Sequence, residues 1–166
     1  MLIVRLSKIA MTAALAAFAF IVSYDNIVDY NSNHEFVKHV LSMDTTFPGN
    51  ALMHRALTSP QSWTVAYGII IAGEAVTFLL LALGALAMLR NLRAPADDFQ
   101  RAKTWMIAGA AAGFLVWFFG FMVVGGEYFA MWQSQTWNGQ TAAFRIYAAI
   151  LGVLIFVNQP DAEYEE

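Results

Sequence analysis

Apolar and polar positions alternate along this chain in long blocks, not residue by residue. Four blocks are nearly free of charge: Ile9 to Tyr24, Trp63 to Leu89, Thr104 to Gly126, and Thr141 to Asn158. A hydrocarbon slab about 30 Å thick needs roughly 20 apolar helical residues to cross it. In lipid the backbone must satisfy its own hydrogen bonds, and a helix does so. The pattern therefore predicts spans near 5–25, 63–89, 104–126 and 141–158. The fold class expected is all-α, a four-helix transmembrane bundle with a partly helical extracytoplasmic cap. Residues 1–160 form one domain, the cap is built from 26–62 and 127–140, and 161–166 is an acidic tail expected to be disordered.

The second block organises the rest. It runs 27 residues with a single charge, Glu74, and is closed by Arg90. The first block admits two readings. Arg5 and Lys8 before an apolar run, with Ala17-Phe18-Ala19 as a small-residue site, fit a signal peptide. The same features fit a first membrane helix whose Arg5 and Lys8 reach back to the interface. The helix is favoured, because other apolar spans are there to pack against and the run ends on Tyr24-Asp25-Asn26. The third block carries Gly109, Ala112, Gly113 and Gly120, and small residues let membrane helices approach closely.

The polar stretch from Asp25 to Ser62 is longer than a connection without structure of its own. Phe36, Val37, Val40 and Leu41 fall on one helical face, with Asn33 as the expected N-cap. Phe47-Pro48-Gly49-Asn50 is turn chemistry, and a second short helix is expected over 51–58. Ser59-Pro60 begins the second span, with Trp63 and Tyr67 expected at headgroup level.

Composition agrees. The chain is 59% hydrophobic and 13% charged, against about 25% charged in soluble domains. A net charge of −3 gives no reason to expect nucleic-acid binding. With no cysteine, disulfides, thiolate metal sites and cysteine nucleophiles are excluded. Four spans put both termini on one side. Arg5, Lys8, Arg90, Arg93, Arg101 and Lys103 lie there, against Lys38, Arg55 and Arg145 on or near the other. The positive-inside rule then places the termini in the cytoplasm, and the cap, were the source a bacterium, in the periplasm.

Helix rise puts Glu74 about 24 Å above Arg90, Arg145 about 20 Å above Asn158 and Asp25 about 25 Å above Lys8, with Glu127 higher at the outer interface. Charges buried in lipid are costly and should face inward and pair. Asp25, Glu74, Glu127 and Arg145 are therefore the candidate binding cluster. One reading is a structural ion pair of Glu74 with Arg145. The other is an outward-facing pocket in which Glu74 exchanges protons or binds a cation. His34, His39 and His54 all lie in the outer loop, so an intramembrane bis-histidine haem site is excluded. His34 and His39 are five apart and do not share a helical face. His39, Met43, Met53 and His54 are soft enough ligands for copper(I). No phosphate loop or nucleophile–base arrangement occurs, and no enzymatic activity is expected.

Several segments carry a resemblance: His39-Val-Leu-Ser-Met-Asp-Thr-Thr-Phe-Pro-Gly-Asn50, Gly73-Glu74, Phe121-Met-Val-Val-Gly-Gly-Glu127, and Met131-Trp-Gln-Ser-Gln-Thr-Trp-Asn-Gly139. They resemble a bacterial family of predicted small integral membrane proteins of unknown function, over nearly the whole chain including the Arg5–Lys8 start. The resemblance implies four spans and an inner-membrane location, and brings no activity or substrate. Three functions stay open. The first is a non-catalytic accessory or assembly partner of a larger membrane complex, docking other subunits or its own copies. The second is a carrier, sensor or cation-binding protein using the polar cluster, and the third is periplasmic copper handling.

Overall fold

The computed structural model describes residues 2–162. Among them are six α-helices: α1 (Leu2–Val28), α2 (Tyr30–Ser42), α3 (Pro60–Arg90), α4 (Ala96–Ala102), α5 (Thr104–Phe114) and α6 (Gln140–Asn158). A π-helix over Leu115–Tyr128 continues α5. Four continuous helical stretches, Leu2–Val28, Pro60–Arg90, Ala96–Tyr128 and Gln140–Asn158, are long and apolar enough to cross a membrane. The four-span, all-helical expectation is met.

The spans form a ring. α3 packs on α1 and α5, and α6 closes the ring against α5, the π-helix and α1. The α3–α5 seam depends on glycine. A Cβ on Gly109 would stand 2.8 Å from the Leu81 backbone nitrogen, and one on Gly84 would stand 2.8 Å from the Met106 Cα. Gly113, against Thr77 and Ile150, completes the line. Of the four small residues read from the sequence, Gly120 takes no part in this seam: a Cβ there would meet only the π-helix's own backbone.

α3 has 31 residues, a rod of about 46 Å, well beyond the hydrocarbon thickness. Its start lies beside α2, which follows α1 in the chain after a break at Asp29. Ser59 caps α3 by accepting from the Ser62 amide at 3.2 Å, with Pro60 in the first turn. A second hydrophobic core, Val37, Val40, Leu41, Met43, Tyr67, Phe129 and Met131, holds the cap together.

Several expectations are corrected. α2 begins at Tyr30, three residues before the anticipated cap, and Asn33 lies inside the helix, donating its side-chain amide to Asn26. The helix expected over 51–58 is one 3₁₀ turn, Met53–Arg55. Tyr67 is a core residue and not part of an interfacial belt; its hydroxyl donates to the Asn26 carbonyl at 3.0 Å. Arg5 and Lys8 turn inward instead of reaching for the interface. The tail is not free from residue 161 on, since Asp161 is buried between two lysines. The expectation of disorder over 163–166 lies outside the described residues.

Candidate functional sites: a buried carboxylate, an apolar cavity and a charged lock

Glu74 is 2% exposed. Its Oε2 accepts a hydrogen bond from Asn26 Nδ2 at 2.8 Å. Asn26 has further partners: its Oδ1 accepts from Asn33 Nδ2 at 2.6 Å, and its carbonyl accepts from Tyr67. Ser23, one turn below, lies 3.5 Å from the Ile71 carbonyl. α1 thus contributes Ser23 and Asn26, three residues apart, as a polar stripe on its buried face. α3 contributes Tyr67, Ile71 and Glu74 opposite them.

The four-residue cluster expected from the sequence does not assemble. Glu74 lies at the level of Asn26, so the height of Asp25 was right, but Asp25 is exposed. Adjacent helical residues point about 100° apart, and the inward position belongs to Asn26. Arg145 is exposed, because Ala143 and Ile150 define the inner face of α6. Glu127 is exposed beside the buried Gly125 and Gly126. Among the described residues, neither Glu74 nor Arg145 takes part in an ion pair. Depth follows from residue counts, whereas direction around each rod is set by packing.

The candidate metal ligands also go separate ways. His39 Nδ1 lies 2.8 Å from Asp44 Oδ2, and its ring stacks on Trp137 at 4.5 Å. Met43 is buried in the cap core. His54 is exposed, with Nδ1 3.2 Å from the Ala51 carbonyl. In the same helix Glu35 accepts from Lys38 Nζ at 2.7 Å, and this hydrogen bond holds its carboxyl below the ordinary carboxylate value.

A cavity of about 420 Å³ lies between α2, α3 and the π-helix. Val40, Ile70, Gly73, Val116, Val124 and Phe129 are among its walls, and no charged side chain lines it. Nothing in the hydrophobic pattern announced it. A run of apolar residues reads the same whether it faces lipid, core or void.

On the terminal side the sequence reading missed a charged lock. Lys8 and Lys103 are both 0% exposed and share the Asp161 carboxylate. Both also donate to the Gln159 carbonyl, at 2.6 and 2.8 Å. Arg5 donates to the carbonyls of Leu92, Ala94 and Ala162. The three cations tie α1, the 91–95 loop, the start of α5 and the residues after α6 into one knot. Sequence had shown only a basic side and an acidic tail. The signal lay in the complementarity of the two.

Fold and sites together define a small four-span helical membrane protein with a cap on the side opposite its termini. The chain belongs to the family described as predicted small integral membrane protein (DUF2165), whose model matches residues 4–160. No curated protein and no solved structure matches it.

Proposed function

We propose that this protein is a non-catalytic accessory or assembly subunit of a larger bacterial inner-membrane complex, with both termini cytoplasmic, docking through α6. The observation that carries this reading is Arg145. It is exposed on a membrane span, and no described acid lies within ion-pair distance. On lenient scales an unpaired arginine costs about 2.5–3.5 kcal/mol at mid-bilayer, and nearer the interface it still seeks an anion. Ala142, Ala149 and Gly152 are exposed beside it, and a Cβ at Gly152 would meet nothing. Such small positions suit close approach by another helix, whose acid would meet Arg145. The orientation rests on the excess of Lys and Arg on the terminal side.

A photo-crosslinker at Ala149, followed by purification in mild detergent, tests the docking. A specific adduct that Arg145→Glu abolishes is expected. A homogeneous lone protein with no adduct would refute the reading, and an adduct to its own copies would make the partner a second chain.

A second reading, a binding or sensing role for Glu74, is supported by its position. It is a buried acid held by one amide and no cation. If Glu74→Gln leaves the pH response of the purified protein unchanged, that reading fails.

A further inference from the structure

The cavity walls identify what it would hold. Its most exposed lining residues are Ile69 (67%), Leu115 (59%) and Phe119 (52%), all on membrane-spanning stretches. Exposed apolar residues on such stretches suit an opening that faces sideways into the bilayer. A volume of about 420 Å³ falls within the usual range for small-molecule pockets, about 300–1,000 Å³. Without a charged lining residue, it suits a hydrocarbon chain.

A polar group is linked to the same wall through Tyr128, which does not itself line the cavity. Along the π-helix, Leu115, Phe119, Val123 and Tyr128 are exposed, at intervals of four, four and five residues. The wider i→i+5 winding places such positions on one face. Leu115 and Phe119 line the opening, and Tyr128 ends the stripe, its ring 5.0 Å from that of Phe129 in the cavity wall. Arg55 lies over the Tyr128 ring at 4.9 Å, and its Nη1 donates to the Tyr128 carbonyl at 3.1 Å. No described acid pairs with Arg55, although Glu127 precedes Tyr128 in the chain. A guanidinium with donors to spare, at the end of an apolar slot open to lipid, complements an anionic headgroup above a chain.

We propose that this slot is a binding site for one anionic phospholipid of the leaflet on the capped side. An acyl chain lies between α3 and the π-helix, and the phosphate rests on Arg55. This assigns a ligand class to a site separate from the α6 surface and from Glu74.

Native mass spectrometry of the full chain in mild detergent, with phosphatidylglycerol or phosphatidylcholine added, tests it. The wild type is expected to retain one phosphatidylglycerol in preference to phosphatidylcholine. Ala66→Phe, which fills the slot from α3, should lower retention of both lipids by about tenfold. Arg55→Gln should abolish the preference and leave chain uptake. Thermal melts confirm folding of each variant, and Val124→Phe replaces Ala66→Phe should the latter fail to fold. No preference in the wild type, or wild-type retention in the filled variant, overturns the proposal. A preference that survives Arg55→Gln overturns the assignment of the headgroup.

Discussion

Asn26 donates its side-chain amide to Glu74 at 2.8 Å, joining α1 to α3 where the sequence had suggested that Glu74 would meet an arginine on α6. The pair is one amide and one acid, both buried. Removing the amide leaves the acid without a partner. Asn26→Ala should therefore lower stability by about 1–3 kcal/mol, the cost of an unsatisfied buried polar group. Glu74→Gln keeps an oxygen for Asn26 and should cost no more than about 1 kcal/mol. Unfolding of both variants in the same detergent checks the order. Equal losses would mean that the bond contributes little.

The α3–α5 seam gives a steric prediction. Gly84→Ala places a methyl where Met106 backbone already stands, and overpacking of this kind costs about 1–3 kcal/mol. Gly152→Ala adds the same methyl to open space and should gain up to about 1 kcal/mol from helix propensity. Thermal melts of the two alanine variants should move in opposite directions.

Asp161 is the only described carboxylate in contact with Lys8 and Lys103. Asp161→Asn should cost about 3–5 kcal/mol, because breaking a buried pair leaves its charges uncompensated. Replacing Lys8 with Met in the same chain should restore part of the loss. Proteolysis at the C-terminal end, faster in Asp161→Asn and slowed again in the double variant, would show the lock directly.

Glu35 offers a pH test in the cap. Its folded-state pKa lies below the ordinary value because of Lys38. Its contribution is therefore present above the unfolded value and is lost as pH falls through the lower, folded one. In a carbon-13 titration Glu35 should titrate below 4.5, its ordinary value, and Lys38→Met should bring it back toward that value. No movement in the variant would show that the hydrogen bond is not the cause.

The number of spans and the all-helical class were legible in the sequence, because hydrocarbon thickness leaves few alternatives, although the third helical stretch begins at Ala96, ahead of the apolar block that starts at Thr104. The amphipathic face of α2 was legible for the same kind of reason: Val37, Val40 and Leu41 are buried at helical spacing. The candidate cluster was legible only in height. Asn26 was passed over as part of an interfacial boundary, although Ser23 and Asn26 share a helical face. Arg145 was drawn inward by the rule that buried charges pair, but Ala143 and Ile150 had claimed the inner face of α6. The π winding of Leu115–Tyr128 left no mark that a 3.6-residue period would register.

That winding has a mechanical consequence. A π-turn has a tighter alternative in the ordinary α-helix, so the third rod can change length and azimuth by exchanging each i→i+5 hydrogen bond for an i→i+4 one, which leaves its interior donors paired. The same rod forms one wall of the slot and leads, through Tyr128 and Phe129, into the cap. An occupant of the slot would therefore lie against the one span whose hydrogen-bond register has such an alternative.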